Sequence, residues 1–212
     1  MQINKSGVAI IEIIIGIFIF SLGLVSIYLI ISSSINLNDY NKNQIIATNL
    51  AREGLELVKN LRDSNYENLH RWDSLNPNLV TDYTLPVNLI QTGVYYKVSP
   101  NFSNVTTSFS VKLDKIVDFG EGPSLITTKM KNYELCLDNS NKYVYNSNCI
   151  SAGLRKSGFY RYVKFEELKY KNAGGIDVVV NNAYKVTSKV IWYNRGYHDT
   201  FLTTIIADYK RL

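Results

Sequence analysis

The sequence predicts an α+β protein, in which one long N-terminal α-helix packs on a C-terminal antiparallel β-sheet domain. Two observations predict this fold class: an apolar run near the N-terminus that continues into an amphipathic helical pattern, and a series of short strand-like segments in the rest of the chain. The 212 residues suffice for one domain of moderate size with an appended element. We predict an apolar helical half over 8–35, an amphipathic helical half over 36–64 and a β-rich domain over 65–212.

The apolar run covers residues 13–35, which are 23 residues without a charge or a proline. About 20 apolar residues span the hydrocarbon core of a bilayer. A secretory signal peptide has a shorter apolar region, so the length favours a transmembrane helix. Lys5 precedes the run, and the positive-inside rule then predicts a cytoplasmic N-terminus with the remaining chain outside.

Glu12 is the single carboxylate at the front edge of the apolar run. A carboxylate costs about 2.5–3.5 kcal/mol at mid-bilayer and indicates a function by default, although one near a helix end can also reach the headgroups. Val8 lies four residues earlier, on the same helix face. If the chain is cut after Gly7, the new α-amine of Val8 lies one turn from the Glu12 carboxylate. Each charge then needs a partner in apolar surroundings, within one chain or in a neighbouring chain.

These residues resemble the N-terminal signature of type IV prepilins, which is a short basic leader ending in Gly, a hydrophobic residue, a Glu at the fifth mature position and a long apolar helix. Here the leader is residues 1–7, which end in KSG, and VAIIE follows. The resemblance implies that prepilin peptidase cleaves between Gly7 and Val8 and methylates the Val8 amine, and that Glu12 directs assembly. Most members have Phe and Thr where this chain has Val8 and Ala9, and many major pilins have a mid-helix proline that this chain lacks.

The amphipathic half of the predicted helix contains no proline and has apolar residues at spacings of three and four. The cluster Asp63-Ser64-Asn65 predicts where it ends. A glycine inside a helix costs about 1 kcal/mol relative to alanine, and close approach to a strand would account for Gly54. The apolar stripe comprises Ala47, Leu50, Ala51, Gly54, Val58 and Leu61.

The prolines and many polar residues of segment 66–93 predict an irregular connection. Short strands separated by turn residues follow it. In the segment before the last, the residues Val186, Ser188, Val190 and Trp192 alternate with the residues between them at a period of two. The following NRGYHD predicts a turn that joins this segment to the last strand as a hairpin. The predicted strands are VYYKV (94–98), FSVKL (109–113), YELCL (133–137), KYVY (142–145), FYRYVKF (159–165), IDVVV (176–180), AYKVTSKVIWY (183–193) and FLTTIIADY (201–209).

Cys136 and Cys149 are the only two cysteines, and they lie close together in sequence. In an exported chain this proximity favours a disulfide over two free thiols. Zinc would need further ligands nearby, and this segment contains none of the right type. We therefore predict no metal site here.

The sequence favours no enzymatic chemistry. It has no Gly-rich phosphate loop, nucleophile elbow or paired metal-ligand spacing, so we assign no catalytic residue and no cofactor. The net charge of +5 belongs to the part of the chain after the apolar run, since Lys5 and Glu12 balance each other. These charges are spread along the chain, which is typical of a solvated surface.

The resemblance implies a structural subunit of a type IV pilus-like filament, inserted once in the cytoplasmic membrane before assembly. Its implied partners are other pilin subunits, prepilin peptidase, and an assembly platform with its ATPase. The phrase NLAREGLELVKNLRDSN resembles minor pilins and type II secretion pseudopilins, so pilus, pseudopilus and competence filament all stay open. The alternative is a monomeric, membrane-anchored binding domain that uses the helix as a tether. DNA capture has only the net charge in its favour, and no residue indicates a surface ligand.

Overall fold

The computed structural model describes residues 5–67, 69–75, 89–101, 110–146 and 148–209, and of these the side chains of 5–9, 101 and 110 lie outside the description. Residues 1–4 of the predicted leader are also outside it. The predicted α+β class is confirmed, with one long helix and one antiparallel sheet. Helix α1 covers Lys5–Glu67. The chain forms two compact units, Met1–Asn43 and Gln44–Leu212, and α1 contributes to both.

In the part of the chain that the structure describes, seven strands form the sheet, and every pairing among them is antiparallel. The predicted hairpin at the C-terminal end is confirmed, because the last two strands pair on either side of the turn at 194–196. The strands are β1 Tyr95–Asn101, β2 Ser110–Lys115, β3 Glu134–Leu137, β4 Tyr143–Tyr145, β5 Arg155–Lys171, β6 Asp177–Tyr193 and β7 Tyr197–Ala207.

Strand β5 lies at the centre of the sheet. It pairs with β6 along one side, and on the other side it pairs with β3 near its start and with β1 further along. Strand β7 continues the sheet beyond β6, while β2 and β4 continue it beyond β1 and β3. Among the described strands, the sheet therefore has three edges, β7, β2 and β4.

The segments 176–180 and 183–193, which the sequence predicts as two strands, form the single strand β6. The Asn181-Asn182 pair between them does not form a turn. Instead the ladder with β5 shifts its register between Glu167 and Lys169, and the extra residues of β6 lie at this shift. The polar pair is accommodated as an irregularity within one long hairpin because pairing resumes beyond it.

In the second unit, α1 packs from residue 44 onward against one face of the sheet. All six residues of the predicted apolar stripe are buried, which confirms the predicted helix face. The alternation along β6 is confirmed as well, because Val186, Ser188, Val190 and Trp192 face this core. Sheet residues that form this core include Phe159, Val163, Phe165, Val186, Val190 and Trp192.

Helix α1 continues two residues beyond the predicted terminating cluster. The Asn65 side chain is fully buried and donates its amide hydrogens to the carbonyl oxygens of Trp72 and Ser74, at 3.1 and 2.9 Å. The Tyr66 hydroxyl donates to the Asp208 carboxylate at 2.7 Å. Because both side chains point into the second unit and find partners there, the helical backbone is retained through Glu67.

The opposite face of the sheet is covered in part by the segment between β2 and β3, which contains the 3₁₀ turns Pro123–Leu125 and Met130–Tyr133. Buried side chains from this segment pack on Tyr160, Tyr162 and Ile191. The sequence does not predict this second layer. It explains why Ile191 is buried although it points away from α1.

Candidate functional site

The first unit consists of the apolar half of α1. From Ile10 to Ile31 its large apolar side chains are between 51% and 71% exposed, on every face of the helix. A helix that is apolar all round is normally buried in a protein core or in a membrane. This helix is long and apolar enough to cross a membrane, and no residue in its most apolar stretch is buried within the chain. Its surroundings must therefore come from lipid or from other chains.

The polar side chains inside this segment find partners on the helix itself. Ser21 donates its hydroxyl to the carbonyl oxygen of Ile17 at 2.7 Å, and Ser26 donates to that of Leu22 at 3.0 Å. Such bonds to the preceding turn leave no hydroxyl hydrogen facing hydrocarbon. The two serines are thus compatible with an apolar environment.

Glu12 lies in the first turns of α1, and its side chain is exposed. Gly7 and Val8 also belong to α1, so the main chain places Val8 and Glu12 one helical turn apart, while the Val8 side chain is outside the description. Among residues 5–37, the only other charged residue is Lys5. The structure therefore leaves the Glu12 carboxylate available to a group from outside the chain, and it does not test cleavage or methylation at Gly7 and Val8.

The second unit holds α1 through a buried arginine that sequence reasoning missed. Arg161, on β5, is 1% exposed, and its guanidinium donates to the carbonyl oxygen of Leu50 on α1 at 3.0 Å and to that of Val98 on β1 at 3.1 Å. Its Nε donates to the Tyr145 hydroxyl at 2.9 Å, and Glu53 on α1 forms an ion pair with it at 3.2 Å. A buried charge is tolerated when it is paired and fully hydrogen-bonded. Burial alone lowers the pKa of Arg161, but Tyr145 and Glu53 outweigh it and raise that pKa above its ordinary value.

Gly54 lies directly beside this arginine, at a close approach of α1 to the sheet. A Cβ at this position would overlap the Ser188 hydroxyl and would lie 3.3 Å from the Ser188 Cβ and 3.4 Å from the Arg161 Cδ. The predicted close approach of Gly54 to a strand is thereby confirmed, and the strand is β6. The missing side chain gives the guanidinium access to the helix backbone.

Glu121 attaches the second layer to the opposite face of the sheet. Its carboxylate accepts hydrogen bonds from Tyr162 at 2.8 Å and Tyr197 at 2.9 Å, and it contacts the Lys189 ammonium group, which also pairs with Asp199. Burial raises the pKa of Glu121, but the bonds from Lys189 and the two tyrosines outweigh it, so the pKa lies below its ordinary value. The same burial and the Glu121 charge raise the pKa of Tyr162 well above its usual range.

The Cys136–Cys149 disulfide predicted from the sequence is present, with a Cα–Cα distance of 5.6 Å. It connects β3 to the loop that precedes β5. Both cysteines are buried. A bridge of this loop length contributes about 3 kcal/mol in the chain-entropy account. The disulfide thus stabilises the side of the sheet that carries the shortest strand, β4.

A cavity of about 820 Å³ opens next to Arg161 in the second unit. Its lining includes the acidic residues Glu53 and Asp114, the basic residue Lys97 and the aromatic residue Tyr143. Because both signs of charge line the opening, the cavity favours no ligand of one charge. Within the described ranges, no group of three His, Cys, Asp or Glu side chains is placed to hold a metal ion.

Arg161 could have been found from the alternation of its own strand. Phe159, Val163 and Phe165 have the parity of a core-facing row, and Arg161 occupies the same row. An arginine in a core row must have buried partners. The sequence does not say which backbone carbonyls those partners are, because they lie on α1 and β1.

In comparisons with known proteins, no family model matches this chain, and no match is found among the curated proteins or the solved structures.

Proposed function

We propose that this chain is a structural subunit, a minor pilin, of a type IV pilus-like filament, processed after Gly7 and assembled through α1. One observation supports this proposal above the others. A single helix exposes apolar side chains on every face in the first unit, with one carboxylate at the leading end, whereas its apolar stripe in the second unit is buried on the sheet. A filament subunit requires this division, because one half must pack against other subunits.

The role of Glu12 follows from the cost of an unpaired charge in apolar surroundings. Once α1 is packed among other apolar helices, a carboxylate at position 12 needs a cation. The Val8 amine of a neighbouring subunit supplies one when the two helices are displaced along their axes. Pairing of Glu12 with that amine would select one displacement among the many that featureless apolar surfaces permit.

The proposed partners and location follow from this role. The precursor crosses the cytoplasmic membrane once, with its N-terminus inside and the second unit outside, and prepilin peptidase acts at Gly7 and Val8. Other pilin subunits then pack against α1. An assembly platform and its ATPase drive this step, since no motif of this chain indicates nucleotide binding.

The test is the intact mass and N-terminal sequence of the chain recovered from its native membrane or from sheared filaments. We expect a chain that begins at methylated Val8. A chain that begins at Met1, or one cut within the serines at 32–34, would reject the proposal and leave a plain tether or a secreted domain.

Replacement of Glu12 by Gln separates a filament subunit from a monomeric tether. We expect Glu12→Gln to reduce recovery in sheared filaments at least about tenfold, because leaving one charge of a buried pair uncompensated costs about 3–5 kcal/mol. Glu56→Gln is the matched control, since Glu56 is exposed on the same helix in the second unit. If Glu12→Gln behaves like this control, the helix serves as a tether.

A further inference from the structure

Edge strand β7 lacks the features that protect the other two edges of the sheet. Strand β2 carries Lys112, Asp114 and Lys115 among its six residues, and β4 is only three residues long. Strand β7 has eleven residues, and its segment 200–207 contains no charge, proline or glycine. Natural proteins shorten, charge, bend or cover their edge strands because an open edge pairs with other chains. By this comparison β7 is the unprotected edge of the sheet, open to pairing with another strand.

The backbone of β7 is also regular enough to accept another strand. Its eleven pairs with β6, from Ala183↔Ala207 to Tyr193↔Tyr197, contain no register shift. Among the strands that the structure describes, β6 is its only partner. A strand hydrogen-bonded on one side has a second row of N–H and C=O groups on the other side, and a strand added there completes them.

The side chains of β7 leave apolar surface at the same edge. Leu202 packs against the core under α1, whereas Phe201 and Ile205 point to the opposite face and are 61% and 57% exposed. Thr203 lies between them on that face, next to Thr187 of β6, with 3.2 Å between their hydroxyl oxygens. Two large apolar residues flanking a threonine thus border the open edge.

This row is complementary to a second copy of itself. If two β7 strands pair antiparallel about Thr203, Phe201 of one copy lies opposite Ile205 of the other, and the two Thr203 side chains face each other. Aromatic and β-branched residues form favourable cross-strand pairs, and so do two threonines. Asp199 then lies opposite Ala207, so no like charges meet. This register pairs the whole uncharged segment. It also places the exposed rows of the two copies, each with Phe201, Thr203 and Ile205, on the same face of the joined sheet.

We propose that β7 is a dimerisation edge, at which a second copy of this chain adds its own β7 and the two sheets become one. The occupant is a second copy because the self-complementary register requires no other sequence. This pairing is isologous, with the same residues on both sides. It does not depend on processing at Gly7 or on assembly through Glu12.

Cysteine crosslinking of the full chain tests the register. Thr203→Cys places two thiols directly opposite each other, within the Cα separation that a disulfide spans. Thr187→Cys is the control, because it lies on the same face one strand further from the edge, and its distance to its own copy is about 14 Å from the strand spacing. Since Cys136 and Cys149 are already bridged, each variant adds the only free thiol.

After mild oxidation in membranes, we expect Thr203→Cys to give at least about tenfold more dimer than Thr187→Cys on non-reducing gels, because a disulfide spans only adjacent strands. Equal yields from both variants would overturn the proposal. A Thr203→Cys adduct that mass spectrometry identifies as a different protein would also overturn it, since the occupant would then not be a second copy.

A charge at the edge provides a second, non-covalent test. Thr203→Lys places two ammonium groups opposite each other, and we expect the dimer fraction measured by light scattering in detergent to be lost. Ile150→Lys is the matched control, because Ile150 is an apolar residue outside β7 and 70% exposed. Tryptophan fluorescence shows that both variants are folded. A dimer that persists in folded Thr203→Lys contradicts the proposed edge.

Discussion

The two halves of α1 differ in how many apolar side chains they carry and in how those side chains are arranged around the helix axis. In the first unit these side chains are exposed all round the helix, and nothing in the described chain covers them. In the second unit the apolar stripe is narrow, and the sheet covers it completely. One continuous helix therefore takes part in two kinds of packing, one completed within the chain and one completed only by lipid or by other chains.

This difference shows how the arrangement of apolar residues around the axis determines what can cover a helix. A stripe with charged residues on the remaining faces can be satisfied by one sheet, whereas an apolar surface on every face needs partners on every side. Substitutions of the same kind in the two halves should therefore have different effects on folding. Trp72 and Trp192, the two tryptophans, are buried in the second unit and report its unfolding.

The largest effect is expected at Arg161. Arg161→Ala leaves the buried carbonyl oxygens of Leu50 and Val98 without this donor. Each buried acceptor left unsatisfied costs about 1–3 kcal/mol, so the two together should cost about 3–5 kcal/mol. We expect this loss in the free energy of unfolding of the full chain in detergent, measured by tryptophan fluorescence in urea. Arg155→Ala, on the exposed start of the same strand, should change it by less than about 0.5 kcal/mol. Similar losses for both would show that Arg161 does not attach the helix to the sheet.

The next-largest effect is expected at a buried leucine of the second unit, compared with an exposed leucine of the first. Leu61 is buried under the sheet, and Leu61→Ala should lower the free energy of unfolding of the second unit by about 2–5 kcal/mol. Leu24 is exposed in the first unit, so Leu24→Ala should leave the same measurement unchanged in detergent. If Leu24→Ala also destabilises the second unit, the two halves are energetically coupled and the contrast between them fails.

A smaller effect is expected from adding one methyl group to a glycine. Gly54→Ala forces the Ser188 hydroxyl to move and should cost about 1–3 kcal/mol by overpacking. Gly16→Ala is the matched substitution in the first unit, where nothing lies within 4 Å of the added Cβ. We expect no loss from Gly16→Ala in the urea titration. Gly54→Ala combined with Ser188→Gly should recover part of the loss. If it recovers none, the loss does not come from overlap between the added methyl group and Ser188.

The smallest effect concerns Glu121 and depends on pH. Because the folded pKa of Glu121 lies below its ordinary value of 4.5, the unfolded chain takes up this proton first as pH falls. Its contribution to stability is therefore full above pH 4.5 and is lost as pH falls through the lower folded pKa. With the carboxylate a quarter exposed and partly screened, Glu121→Gln should cost about 1 kcal/mol at pH 7.

The measurement is the difference in unfolding free energy between the native chain and Glu121→Gln at pH 7 and at pH 3. This difference should shrink at the lower pH, because the native chain has then begun to lose the same contribution. A difference that stays constant between the two pH values would mean that Glu121 does not titrate with folding.

Features that rest on local periodicity could be predicted from the sequence. The buried stripe around Leu50 and Leu61, the alternation along β6 and the terminal hairpin each follow from spacing within one segment. The second layer on the sheet could not be predicted, because Glu121 obtains its partners from three separate strands. The continuity of β6 could not be predicted either, since the polar pair at 181–182 is a turn signal by composition.

The features of the candidate site also divide into those that spacing within one segment predicts and those that it does not. The positions of Gly7, Val8 and Glu12 along one helix follow from their spacing, and the structure adds that Glu12 is exposed. The partner of Glu12 cannot be read from one chain, because the proposed amine belongs to another subunit. The partners of Arg161 could not be predicted for the opposite reason, since they lie within the chain but are distant in sequence.

The position of Gly54 against Ser188 has a mechanical consequence. If α1 slid along the sheet, a residue with a side chain would have to enter the space that Gly54 occupies, and the contacts from Arg161 to Leu50 and Glu53 would break together. Tension applied through the N-terminal half of α1 is therefore shared with β1 and β5. We expect the second unit to yield under force by opening its sheet, with the helix still held in place until that point.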